Sequence, residues 1–325
     1  MDRINIINNE VSLNIKRLGK SFYKRLQPNQ SNNHYYRIYK DAVQTDSSCF
    51  LTIIVNDEKG RGFKIDGSLR KWWYGNRSIR DLDFYTFSEC LDVLAKKLGI
   101  TSHQLLDSGV TYLEIGGNIR LHRKYDFIIP SMISYPRLQK IHYTEQTTYF
   151  KSRNRTICSY DKVMEIYKHG GLSKTQYEKI SKNIFVMRYE HKLTTPSGTN
   201  LRGKMNTLYK IKINWNFLID DWEDNFRKIQ FAQFQKPKLV DSNKFMTRTE
   251  LKNFAIAIAV KNEGFGFFNN VINSRFNPNH KSQERKNLVE ICKRSNVENS
   301  KEDVEFVLAA IKNKADKLKR KSREL

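Results

Sequence analysis

The sequence predicts an α+β protein, with a mainly antiparallel sheet over residues 1–193 and a helical part over residues 194–325. Two observations carry this. In the first part apolar residues recur with period two, as half-buried strands require, and in the second they recur with period 3.6. The strand candidates are INIIN near the start, LTIIV at 51–55, TYLEIGGNI at 111–119, TTYFKS at 147–152, RTICSYD at 155–161 and IFVMRYEHKL at 184–193. One helix stands among them. Thr86 with Glu89 reads as a capping box, Phe87, Leu91, Leu94 and Leu98 follow at helical spacing, and Gly99 closes the helix. TTPSGTNLRG at 194–203 reads as a turn-rich linker. Beyond it, helices are expected through Leu218, Trp222, Phe226 and Ile229, through Leu251, Phe254 and Ile258 behind a Thr247/Glu250 capping box, and through Val304, Leu308, Ile311, Ala315 and Leu318. Between the last two, SRFNPNHKSQER at 274–285 reads as an exposed basic loop, and the closing KNKADKLKRKSREL reads as a charged, solvated helix end with DNA contact as the alternative, so that 194–325 is expected to be a basic DNA-binding or accessory domain.

Charge narrows the function. Lys and Arg number 58 against 34 Asp and Glu, a net charge of +24, which points to a polyanionic partner and above all to nucleic acid. No apolar run long enough to span a membrane appears, and MDRINIINNE lacks the pattern of a signal peptide, so a cytoplasmic protein is expected. Cys49, Cys90, Cys158 and Cys292 are too scattered for a zinc site and read as reduced thiols.

Alternation also assigns faces. At 111–119, Leu113 and Ile115 share one side while Tyr112, Glu114, Gly116 and Asn118 share the other. At 184–193, Phe185, Met187, Tyr189 and Leu193 form the core set, and Arg188, Glu190 and Lys192 point away. At 155–162, Thr156, Cys158, Tyr160 and Lys162 are expected on one face. If these strands are neighbours, one surface carries two carboxylates, a tyrosine and several cations. Glu114 and Glu190 then suit Mg²⁺ or Mn²⁺, hard cations that favour oxygen ligands. Tyr160 suits a nucleophile, with Lys162 assisting its deprotonation or clamping a phosphate. Each residue also has an ordinary reading: Tyr160 as a packed tyrosine, Glu190 as an ion-pair partner of Arg188 or Lys192, and Glu165 as either a partner for Lys162 or the opening of a helix.

Two stretches interleave aromatics with cations, HYYRIYK at 34–40 and RKWWYGNR at 70–77. Such stretches can stack unpaired bases while their cations follow the phosphates. The first fits this role and a core role equally. For the second, Trp72, Trp73 and Tyr74 in a row and Gly75-Asn76 behind them suggest a binding loop. The DNA contacts expected are therefore Arg70, Lys71, Trp72, Trp73, Tyr74 and Asn76, together with Arg153, Arg155, Arg188 and Lys192 around the carboxylates.

The segment SRNRTICSYDKVME at 152–165 resembles the one that carries the catalytic tyrosine in the gene II/X replication proteins of filamentous phages and their plasmid relatives, the rolling-circle replication initiators. Tyr160 falls on that tyrosine. GSLRKWWYGN, VTYLEIGGNI, TTYFKSR and VMRYEHKL resemble further motifs of the family in the same order, so the similarity spans roughly residues 3 to 235 and places Glu114 and Glu190 at its acidic positions. The resemblance implies an antiparallel-sheet nuclease domain and a metal-dependent enzyme that nicks one strand at an origin, stays covalently joined to the 5′ phosphate and later rejoins the strand. Its implied partners are single-stranded and origin duplex DNA, a host helicase and a host polymerase in the bacterial cytoplasm, with a homodimer as one option. Two departures stand out: no two histidines have the His-hydrophobic-His spacing of many such nucleases, and Glu114 stands where close relatives often have Asp. Tyr112, Tyr149 and Tyr189 are the candidates for a second tyrosine. The competing expectations are a non-catalytic origin-binding or copy-control protein, and a relaxase or transposase-like tyrosine nuclease.

Overall fold

A computed structural model describes residues 1–14, 23–26, 33–41, 49–56, 62–144, 146–194, 205–231, 247–263, 265–277, 279–294 and 301–321. The strands are β1 (Arg3–Asn8), β2 (Tyr23–Leu26), β3 (Asn33–Tyr39), β4 (Phe50–Asn56), β5 (Phe63–Ser68), β6 (Gly109–His122), β7 (Met132–Ser134), β8 (Gln139–Thr144), β9 (Thr147–Lys151), β10 (Arg155–Asp161), β11 (Ile184–Leu193) and β12 (Gln230–Phe231). Ten of them form a single antiparallel sheet in the order β2-β3-β4-β5-β1-β6-β11-β10-β9-β8, while β7 and β12 pair separately. The protein is thus α+β, built on one large antiparallel sheet. HYYRIYK contributes β3, where Tyr36 and Ile38 are buried on the core side. That stretch is therefore a packed strand in which two of the aromatics and aliphatics serve the core.

The helices are α1 (Leu69–Tyr74), α2 (Phe84–Leu98), α3 (Ser102–Leu106), α4 (Ile128–Ser131), α5 (Lys162–Lys168), α6 (Lys174–Ser181), α7 (Leu208–Ile213), α8 (Trp215–Arg227), α9 (Arg248–Glu263), α10 (Phe265–Arg275), α11 (Lys281–Arg294) and α12 (Lys301–Leu318). Helix α2 starts one turn earlier than Thr86 suggests, because the Asp83 side chain accepts the Thr86 N–H at 2.8 Å and caps it first. It ends at Gly99 in the left-handed conformation, as expected. The Thr247/Glu250 capping box does open α9, though Leu251 is exposed and the helix buries Ala257 and Val260 instead. Much of 274–285 is not loop: α10 ends at Arg275 and α11 begins at Lys281, so only a short turn separates them. The linker at 195–203 lies outside the described residues.

One face of β6 and β11 is apolar and carries the main core. Leu113, Ile115 and Ile119 join Phe185, Met187 and Tyr189 beneath Trp215, Leu218, Trp222 and Phe226 of α8 and Ile311, Ala315 and Leu318 of α12. The apolar core therefore crosses the boundary expected at 193/194. Trp215 stacks on Phe87 of α2 at 4.8 Å and its indole N–H donates to the Leu318 carbonyl at 2.7 Å, tying three helices together. Helices α9 to α11 instead gather around a small cluster of their own, Val260, Ile272 and Leu288. Among the described residues no helix is long and apolar enough to cross a membrane.

Candidate active site

The opposite face of the same strands is polar yet covered. Register places Glu190 opposite both Gly116 of β6 and Cys158 of β10, Arg188 opposite Asn118 and Tyr160, and Lys192 opposite Glu114 and Thr156. The strands expected to be neighbours are neighbours. Glu114, Glu190 and Tyr160 consequently meet on one surface, as alternation requires.

The Tyr160 hydroxyl donates to Glu190 Oε1 at 2.9 Å, and Arg188 Nε donates to the same oxygen at 2.7 Å. Lys192 Nζ lies 2.9 Å from Glu190 Oε2 and 3.3 Å from Glu114 Oε2, and the Tyr112 hydroxyl donates to Glu114 Oε2 at 3.0 Å. Both same-strand neighbours of Glu190 thus pair with it closely, because the long side chains bend toward each other along the strand. A third carboxylate completes the group. The Asp2 amide donates to the Glu114 carbonyl at 2.8 Å, and the Asp2 side chain accepts from Ser68 Oγ at 2.5 Å and pairs with Arg188. One oxygen each from Asp2, Glu114 and Glu190 lie within 4.8 Å of one another. No sequence motif marks Asp2, which enters the site only because β1 pairs beside the strand bearing Glu114.

Arg188 anchors the arrangement from below. It is fully buried and also reaches Asp81 Oδ1 at 3.2 Å, while Asp81 accepts the Asn118 amide at 2.8 Å and pairs with Lys314 of α12 at 2.6 Å. The two glycines of TYLEIGGNI serve opposite faces. A Cβ at Gly116 would lie 2.5 Å from Arg188 Nη2, and one at Gly117 would lie 2.8 Å from the Trp222 ring. Glycine lets the guanidinium in on one side and the indole on the other.

Ionisation follows from burial and neighbours. Burial and the charges of Glu190 and Asp2 push the Glu114 carboxyl up to about 7, against Lys192 and Arg188. Burial alone would raise Glu190, but Arg188 and Lys192 hold it below the usual carboxylate range. Burial and the Glu190 charge push the Tyr160 phenol well above its usual value, so it rests protonated.

Lys162 departs from the expectation. Asp161 accepts the Val163 and Met164 amides and caps α5, so Lys162 is the first residue of a helix and not the next residue of the strand face. Its Nζ lies 2.6 Å from Glu165 Oε2 and 6.0 Å from the Tyr160 ring centroid. Of the two readings for Glu165, holding Lys162 is the one the structure shows; Asp161 opens the helix, with Glu165 in its first turn.

Several expected DNA contacts are corrected by burial. GSLRKWWYGN is not a loop tip: Ser68 caps α1, on which Arg70 and Trp72 have no exposed surface. Trp72 belongs to the core, so stacking a base on it would mean unpacking the protein. Arg70 pairs with Asp2 at 3.4 Å and donates to the Ser78 carbonyl at 2.7 Å. Trp73 and Tyr74 pack partly against the core, the former under Lys40 at 3.9 Å, and Asn76 follows in the turn after Gly75. Arg188 is enclosed by carboxylates, and Lys192 is engaged by two of them. Arg155 lies on the helix-covered face, 3.4 Å from Asn225 of α8, while Arg153 is exposed in the turn before β10. Lys71 does reach the site. It lines a cleft of about 630 Å³ with Arg3, Lys162 and Lys168 around Tyr160 and the three carboxylates. Of the other tyrosines, Tyr189 is buried on the apolar face against Trp222, and Tyr149 lines the cleft beside Cys158.

Neither a scan against models of known protein families nor a search of curated proteins finds a match to this chain.

Proposed function

We propose that the protein is a metal-dependent DNA nicking and joining endonuclease of the rolling-circle replication type, with Tyr160 as nucleophile. The observation that carries the reading is the hydrogen bond from the Tyr160 hydroxyl to Glu190, a member of a three-carboxylate cluster at the base of a cation-rimmed cleft. The resemblance of 152–165 to the tyrosine segment of the phage replication proteins supports the same assignment independently of this geometry.

Asp2, Glu114 and Glu190 suit a hard divalent cation. Their oxygens are close enough to share one ion. Mg²⁺ or Mn²⁺ held there would polarise the phosphodiester. The chain's own groups do the rest. Glu190 Oε1, already accepting from the phenol, takes its proton as Tyr160 Oη bonds to phosphorus. The P–O3′ bond breaks, the departing oxygen gains a proton and becomes the 3′ hydroxyl, and the 5′ phosphate remains on Tyr160. Attack by a 3′ hydroxyl on that phosphotyrosine reverses the step and joins the strand. Lys71 and Lys168 supply positive charge for the flanking phosphates.

The test compares the protein with Tyr160→Phe on single-stranded DNA from the replicon that encodes it, with Mn²⁺, on a denaturing gel. A covalent protein–DNA band from the unaltered protein alone is expected. If both bind DNA equally and neither yields a band or a nick, the protein is an origin-binding protein and Tyr160 is structural.

A further inference from the structure

Lys192 already brings a cation to the carboxylate cluster. Its single ammonium bridges Glu190 Oε2 at 2.9 Å and Glu114 Oε2 at 3.3 Å, two of the three carboxylates in the cluster. The buried arginines of the group have no such freedom: Arg70 pairs with Asp2, and Arg188 is committed to Asp2, Asp81 and Glu190 at once. Lys192 sits one residue from the end of β11, and its side chain keeps 26% of its surface exposed on the wall of the cleft. An ammonium on a flexible four-carbon stem can leave such a place, whereas a guanidinium held by three carboxylates cannot.

Resting on the metal-dependent reading above, we propose that Lys192 is a built-in counter-cation: it holds Glu114 and Glu190 together in the metal-free protein, and a divalent cation must displace it to bind. The ion gains three carboxylates where the ammonium had two. Its net affinity is what remains after a tethered, locally concentrated competitor has been removed. The displaced ammonium is released into the cleft, where a DNA phosphate is the natural new partner. Metal and DNA then favour each other's binding, since each relieves a cost of the other.

The experiment is calorimetric titration of Mn²⁺ into the full chain, into Lys192→Met and into Lys192→Arg. Lys192→Met is expected to bind Mn²⁺ about tenfold or more tightly, because a charge within 4 Å of two ligands is gone, while Lys192→Arg stays as weak as the unaltered protein. Adding Glu190→Gln to Lys192→Met is expected to abolish binding, which assigns the ion to the cluster. Melting supplies a second readout: Lys192→Met melts lower without Mn²⁺ and gains more from Mn²⁺ than the unaltered protein does. Should Lys192→Met not fold, Lys192→Gln, which keeps a hydrogen-bond donor beside Glu190, carries the same expectations. If the lysine variants bind Mn²⁺ no more tightly than the unaltered protein while Glu190→Gln still abolishes binding, Lys192 is no competitor and the metal reading stands alone. Absence of Mn²⁺ binding in every variant overturns both.

Discussion

Strand β11 is buried on both faces, but by different means. On one face Phe185, Met187 and Tyr189 pack under the tryptophans of α8, and on the other Arg188 and Glu190 are enclosed by Asp2, Asp81, Glu114 and Lys192. The apolar face draws its stability from area removed from water. The polar face must satisfy each charge it hides, and its net contribution to stability is correspondingly small. The proposed chemistry therefore lies on the face that contributes least to the fold, with the apolar face fixing the strands beneath it.

Substitutions on the two faces separate these roles. Glu190→Gln, which removes the proton acceptor of Tyr160 and one carboxylate of the cluster, is expected to lower nicking by about 10²–10⁴-fold, read as single-turnover cleavage of a labelled oligonucleotide. Trp222→Ala on the apolar face is expected to lose about 3–5 kcal/mol of stability, read by chemical denaturation. Arg188→Met removes the partner of three buried carboxylates and is expected to cost about 3–5 kcal/mol as well, but with a pH signature that Trp222→Ala lacks. Asp81 shows why: burial would raise its pKa, yet Arg188 and Lys314 hold it below the usual carboxylate range. Its contribution is complete above an unfolded pKa of about 4 and is lost as pH falls, so the gap between the unaltered protein and Arg188→Met narrows in acid. The adjacent glycines give a finer comparison. Gly117→Ala presses on Trp222 and is expected to cost about 1–3 kcal/mol with cleavage per folded molecule unchanged, whereas Gly116→Ala presses on Arg188 and is expected to slow cleavage. The smallest effect belongs to Leu251→Ser on exposed α9, expected within about 0.5 kcal/mol by thermal melting.

Legibility in the sequence followed the range of the interactions. Strand β11 runs from Ile184 to Leu193 as alternation predicts, and Glu114, Tyr160 and Glu190 come together because period two alone decides which face each shares. Lys162 was misplaced because the alternation was carried one residue too far, past an aspartate that caps a helix. Helix α10 lacks the spaced apolar pattern that signals a helix, since FGFFNNV is apolar on successive residues and contains a glycine. Arg70 and Trp72 looked like a binding surface because cations beside aromatics read the same way whether they face solvent or a core. Asp2 was not legible at all. Its role depends on β1 reaching β6 across more than 100 residues of chain, a pairing that no local pattern reports.

Within β6, Leu113 pairs with Ile4 of β1 on one side and with Leu193 of β11 on the other, so the strand changes partner at that residue. The start of β6 thus pairs with β1 and the rest of it with β11. Asp2 comes from just before β1, Glu114 follows the residue where the pairing changes over, and Glu190 and Tyr160 belong to β11 and β10. A cation gripped by all three carboxylates would therefore tie the two sides of this handover together.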